Sequence, residues 1–313
     1  MASHPQAQAA AGTARGVDEG LDRPSRLERA EPWLFIAPSL ILLLAVGLYP
    51  ILFTAYMSTH NWVLGMGAPT FNGLGNFVDT LSSEEFRASV GRTLLLLAIT
   101  LPIELALGMA LALALNAQHN KVLRTILQVA LVVPIAITPA VIGLLVQLMF
   151  DNQLGIINYF LSFFGVGQVD WLGTQVLAYT TVCIAQVWEW TPFVALVLSA
   201  SMATVPPEIE EAAILETDRW WPRFKRVQLP FLWPGITAAL VFQTAFVVKQ
   251  FGMIYAIEKG GPGTATQTAM LHIERTAFRG FDIGVAAAES ILMLIVSIVL
   301  AQIYIKVFYS EAE

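Results

Sequence analysis

Glu189 stands in the run Trp188-Glu189-Trp190-Thr191-Pro192-Phe193, at the middle of a long apolar segment. An ionisable side chain in such a segment costs roughly 2.5–3.5 kcal/mol on insertion scales, so it points to function by default. Pro192 withholds a backbone N–H and frees a carbonyl, which predicts a kinked or unwound turn. Trp188 and Trp190 offer rigid apolar faces. Gln186 and Glu189 can exchange hydrogen bonds with hydroxyl groups, with Thr191 beside them. Aromatic walls carrying a few convergent polar groups are what a polyol site needs. The same residues also suit packing, with the Trp pair facing lipid and Glu189 paired to a neighbouring subunit.

A second apolar segment, 234–256, carries Gln243, Phe246, Lys249 and Gln250 at i, i+3, i+6 and i+7, on one face of a helix, with Tyr255 beyond them. Lys249 is open to two readings, an ion pair with Glu189 or a contact with an anionic solute. Glu104, beside Pro102, and Glu289 read as packing or interface residues. Gln128 and Gln147 read as hydrogen bonds between helices.

Several chemistries find no footing. The chain has no GxxxxGK[ST] to cradle nucleotide phosphates, and neither HExxH nor GxSxG. His4, His60, His119 and His272 are scattered and make no metal site. The single Cys183 lies in an apolar run and reads as a small packing residue.

The elements that must position these groups are membrane spans. Hydrophobic residues make up 56% of the 313 and charged residues 13%, against about 25% charged in soluble domains, and the mean hydropathy is +0.66. Residues 1–31 lack apolar periodicity and read as a disordered tail. Apolar runs at about 33–57, 92–115, 125–149, 175–203, 234–256 and 284–307 each meet the ~20 residues that cross a hydrocarbon core. The first is too long for a signal-peptide core and reads as an uncleaved span. The expected fold class is therefore all-α, a polytopic membrane protein of six helices. Lys and Arg settle its orientation. Arg15, Arg23, Arg26 and Arg29, Lys121 and Arg124, Arg219, Arg223, Lys225 and Arg226, and Lys306 lie on one side. Arg87, Arg92, Lys259, Arg275 and Arg279 lie on the other. The richer side, by about two to one, is cytoplasmic and holds both termini and the 204–233 loop.

That loop, between the fourth and fifth spans, is the most polar run after the tail. Pro207 suits a first helical position, and Glu208, Glu210 and Glu211 complement the positive end of the helix dipole. Ile209, Ala212, Ala213 and Glu216 share one face. Thr217 and Asp218 favour a break, and a second, basic segment carries Arg219, Arg223, Lys225 and Arg226. Leu229-Pro230 is expected to end it, because a residue before proline is pushed out of the α region. The product is a short L-shaped rod facing water.

In this stretch, Glu211-Ala212-Ala213, Phe224, Val227, Leu229-Pro230 and Pro234 stand at the spacing of the EAA loop. The chain resembles the permease subunits of binding-protein-dependent ABC importers, the carbohydrate-uptake branch above all. The W-x-x-T-P-F string at 188–193, Asn72-Gly73-Leu74-Gly75-Asn76-Phe77 and Gly260-Gly261-Pro262-Gly263 resemble the same family. The likeness runs from about Trp33 to Tyr309. Two positions depart from it. Thr217 replaces the family glycine, where a positive φ would strain Thr, and Gly252 stands where the family often has Asp.

The resemblance implies a six-span domain over 32–310 whose 204–233 segment is a cytoplasmic coupling loop. It implies that Glu211, Ala212, Ala213, Leu215, Glu216, Thr217, Asp218, Phe224, Leu229 and Pro230 meet an ATPase. The solute path would be lined by Gln186, Trp188, Glu189, Trp190, Thr191, Gln243, Phe246, Lys249, Gln250 and Tyr255. Implied partners are a second similar permease, giving a heterodimer, two ATPase subunits, an extracytoplasmic binding protein, membrane lipid and a sugar or polyol. Nucleic acid is not among them. ATP and Mg would be bound by the ATPase, leaving no cofactor in this chain, in a bacterial cytoplasmic membrane. The alternative is a secondary, ion-coupled transporter, for which an inverted repeat and paired broken spans would be needed. The sequence contains neither pattern.

Overall fold

The computed structural model describes residues 26–309, with side chains from 35 to 307. Most of the expected tail, 1–25, lies outside them, but its last residues are already helical. Two units are distinct, Met1–Leu52 and Phe53–Glu313.

In the first unit, α1 (Arg26–Leu43) passes through a π-turn, Leu44–Leu48, into the start of α2 (Tyr49–Ser58). There the Tyr49 N–H donates to the Leu44 carbonyl five residues back, immediately before Pro50. A proline has no N–H for the ladder and its ring crowds the preceding turn, and a widened turn ahead of it relieves both.

In the second unit, a two-residue hairpin, β1 (His60–Asn61) and β2 (Thr70–Phe71), precedes α3 (Gly75–Ser82) and α4 (Glu84–Asn116). The Ser83 hydroxyl accepts from the Phe86 N–H at 3.3 Å, and Glu84 and Glu85 fill the first turn of α4. This cap starts the helix eight residues before the expected span and draws Arg87 into it.

The apolar run 125–149 is two helices, not one. α5 (Lys121–Ala136) and α6 (Pro139–Met149) are bent by 91°. Pro139 forbids α geometry at Thr138, whose ψ is 135°, and Ile137 is also extended. After α7 (Ile156–Ser162), α8 (Gln175–Met202) runs through Pro192 without a break, so the expected unwinding does not occur.

The loop helix α9 (Pro207–Glu216) is followed by α10 (Trp220–Arg223), a π-turn (Phe224–Gln228) and α11 (Leu229–Val248). The expected stop at Leu229-Pro230 is corrected: helix continues from Trp220 to Val248. As at Pro50, the widened turn lets the Leu229 N–H reach Phe224 O just before the proline. The fifth span then ends early. Lys249–Phe251 are non-helical, and α12 (Gly252–Glu258) starts anew. α13 (Ala269–Phe278) and α14 (Ile283–Tyr309) complete the chain.

α8 is the axis of this unit, packed by α4, α5 and α11, while α11 also packs on α14 and α6 on α12. Contact is close because two facing positions lack side chains. A Cβ on Gly108 of α4 would lie 2.7 Å from Val194 Cγ1, and one on Gly235 of α11 would lie 2.0 Å from Ser201 Oγ. Small residues let helices approach within van der Waals range where lipid supplies no hydrophobic drive. Gly108→Ala should therefore cost about 1–3 kcal/mol by overpacking. Gly91→Ala, on the same helix with open space around it, should be neutral or stabilising. Thermal midpoints of the two variants in detergent check this.

Candidate functional site

Two sites emerge, one midway along the bundle and one on the loop between α8 and α11. The first gathers Gln186 and Glu189 of α8, Gln243 of α11 and Gln250 of the non-helical link, all nearly sealed from the surface. The Gln250 amide donates to Gln186 Oε1 at 3.3 Å and Glu189 Oε2 at 3.4 Å. Gln243 Nε2 donates to the Trp190 carbonyl at 3.3 Å. The helical spacing that joined Gln250 to Gln243 does not hold, because helix ends at Val248. Gln250 arrives by leaving the helix, and its inward amide is what the buried carboxylate needs.

Lys249 does not pair with Glu189. It is exposed, with Nζ 4.6 Å from the Phe246 ring centroid. Phe246 in turn stacks on Trp190 at 4.2 Å and 22°, and Phe193 meets both edge-on. This is an aromatic wall with a cation at its end. The Thr191 hydroxyl is buried without a partner, and the Trp190 indole N–H is buried beside Glu189. Tyr255 lies apart on α12, against Phe251 at 5.2 Å.

Trp188 is separated from this wall. Residues two apart sit about 200° round a helix, so it half-emerges on the other side. There it lines an apolar groove of about 720 Å³ with Leu107, Leu131, Pro134 and Cys183. The two Trp rings do not form facing walls of one pocket.

Glu104 belongs to the buried site, although the sequence suggested packing. It is fully buried on α4, facing Glu189 and Gln186. An acid beside a proline inside an apolar run was the available signal.

At the end of the bundle opposite the loop lies a hydrogen-bond relay that the sequence did not suggest. Arg275 Nη1 donates to Gln267 Oε1 at 2.6 Å, which turns the Gln267 amide towards His272 Nδ1 at 3.0 Å. His272 must then carry its proton on Nε2 and donate to Glu289 Oε1 at 3.1 Å. Arg275 also donates to the Lys259 carbonyl, and Arg92 holds Gln267 O and Thr264 Oγ1 at 3.2 and 3.0 Å. The relay ties α4, α13 and α14 to the Gly260–Gly263 turn.

The second site is the L-shaped loop. Glu211, Ala212, Leu215, Glu216 and Asp218 are exposed, Leu215 at 89%. Ala213 and Phe224 are buried at 6% each in the angle of the L, and Gln228 Nε2 bonds Glu210 Oε1 at 3.1 Å across it. Thr217 makes the corner at φ −156°, extended backbone open to any residue, and its Oγ1 accepts from the Arg219 N–H at 3.3 Å. Thr in place of glycine is thus unstrained here. Leu229 is half-buried and Pro230 exposed on the continuous helix.

Comparison with known proteins gives consistent results. The family described as "Binding-protein-dependent transport system inner membrane component" matches residues 104–309. The chain is 32% identical over 280 residues to the trehalose/maltose transport system permease protein MalF of Thermococcus litoralis, covering 88% of this chain and 92% of that one. It is 29% identical over 274 residues to the sn-glycerol-3-phosphate transport system permease protein UgpA of Agrobacterium fabrum, covering 86% and 91%. Its fold matches a chain of a bacterial ABC transporter involved in the import of the acidic polysaccharide alginate, with TM-score 0.77 at 21% identity, over 92% of this chain and 99% of that one.

Removing the Gln250 amide tests the buried site. Gln250→Leu takes one donor from Glu189 and Gln186 and should cost about 1–3 kcal/mol. Lys249→Met, losing an exposed cation–π contact, should cost no more than about 1 kcal/mol. Unfolding midpoints in detergent separate the two.

Proposed function

The chain belongs to the family of binding-protein-dependent transport system inner membrane components, and from that premise we propose that it is the translocation subunit of an ATP-driven importer of a sugar or polyol. The observation that carries this reading is the loop: a helix, an extended corner at Thr217 and a second helix, with Glu211 and Leu215 presented to water. A cytoplasmic ATPase docks there, two copies serving this chain and a second, similar permease. ATP and Mg are bound by that partner. The excess of Lys and Arg on the loop side of the spans supports a cytoplasmic loop. A solute-binding protein meets the opposite end, near the Gly260–Gly263 turn.

Coupling has a mechanical basis. The second arm of the loop is continuous with the fifth span from Trp220 to Val248, 29 residues, a rod about 43 Å long. Its far end is the non-helical link whose Gln250 holds Gln186 and Glu189. A shift of the docked loop therefore reaches the buried site through one stiff element. The Trp190–Phe246 wall beside that site suits the apolar face of a sugar ring. The permeases named above, for trehalose/maltose and for glycerol phosphate, support a carbohydrate-like solute.

Glu211→Lys should uncouple ATP hydrolysis from uptake in proteoliposomes holding the full assembly; transport at the unaltered rate would refute the docking role. Trp190→Ala should lower uptake at least tenfold and Trp188→Ala less than twofold. Equal losses would place the solute elsewhere.

A further inference from the structure

The groove that Trp188 lines, about 720 Å³ between α4, α5 and α8, has no part in the coupling described above. Its walls are aliphatic: Ile99, Ile103 and Leu107 of α4, Leu131 of α5, Ile184 and Val187 of α8. Ile103, Leu107 and Ile184 stay exposed within it. α5 reaches the groove only as far as Pro134, because the 91° bend after Ala136 turns α6 aside. From Ile99 to Leu111 on α4, and from Thr180 to Pro192 on α8, the groove runs about 18 Å. That is close to the ~15 Å of hydrocarbon in one leaflet.

One end of this groove is charged. Arg124, Gln128, Leu131 and Pro134 of α5 are half-buried at spacings of four, three and three, so they share the face that α5 turns to α8. Leu131 and Pro134 are in the groove wall, and Arg124 stands about 10 Å along the helix from Leu131, at the end of the span. Its long side chain can keep an apolar stem on the helix and its head among lipid headgroups. Lys121 is exposed one turn further out. Nothing in the sequence neutralises the two, since no acidic residue occurs between Glu104 and Asp151. Among the described residues the ion pairs within 4.0 Å are His272–Glu289 and Glu274–Arg279, which leaves both cations out.

We propose that the groove is a binding site for one anionic phospholipid, with an acyl chain along α4 and α8 and the phosphate at Arg124 and Lys121. Charge at one end and an unbroken aliphatic lining beyond it match the two halves of such a molecule. Width argues against a helix of a second polypeptide. A helix is 10–12 Å across and over the same 18 Å would fill roughly twice the volume of the groove. With both termini cytoplasmic, as proposed above, the lipid belongs to the cytoplasmic leaflet, where anionic headgroups give the surface its negative potential.

The test takes the full chain in detergent, adds phosphatidylglycerol or phosphatidylcholine, and counts retained lipid by native mass spectrometry. Phosphatidylglycerol should be retained at least fivefold more than phosphatidylcholine and should raise the thermal midpoint, as any ligand of the folded state does. Arg124→Gln should lower phosphatidylglycerol retention at least fivefold and abolish that rise. Leu107→Trp, which fills the groove, should lower retention of both lipids. Lys306→Gln and Val129→Trp, which remove a cation and add an indole away from the groove, should change neither readout. Equal retention of the two lipids by the unaltered chain, or an Arg124→Gln chain that still prefers phosphatidylglycerol, would overturn the proposal. So would a Leu107→Trp chain that retains both lipids but loses mass as an oligomer, since the groove is then a contact between chains. Midpoints measured without added lipid exclude misfolding, and if Leu107→Trp does not fold, the exposed-end variant Arg124→Gln decides alone.

Discussion

A carboxylate enclosed among apolar helices has to be met by donors, and at Glu189 that requirement shapes the fifth span. One donor is the Gln250 amide, carried on the non-helical link that follows Val248. The end of α11 and the restart of α12 at Gly252 flank this tie, and α12 packs on α6.

Prolines govern the remaining irregularities, and each acts according to what precedes it. Pro50 and Pro230 are absorbed by π-turns that let the rod continue. Pro139 is preceded by two extended residues and turns the chain through 91°. Pro192 is carried inside α8 without interruption, where close neighbours on α4, α5 and α11 hold the helix from several sides. Local propensity is the same in all four places; the surrounding packing decides the outcome.

Much of this was legible in the residues. The apolar runs mark five long helices and one broken pair, and the Pro207 start and Thr217 corner of the loop fall where turn chemistry puts them. What escaped was tertiary. Lys249, six residues beyond Gln243, is outside the helix, and whether it or Gln250 meets Glu189 is recorded by no periodicity. Trp188 and Trp190 look like a pair until helical rotation separates them. Glu104 could be assigned to the buried site only once α4 was seen against α8, and the Gln267–His272–Glu289 relay joins residues that have no sequence spacing in common.

The stacked rings of Trp190 and Phe246 bear on how firmly a passing molecule is held. At 4.2 Å the indole already has a planar companion on one face, so under the path proposed above a solute stacking on that face would trade one partner for another instead of covering bare surface. Such an exchange yields little net affinity and is undone as readily as it is made. A conduit benefits from that leniency, because cargo gripped at the halfway point would never reach the far side.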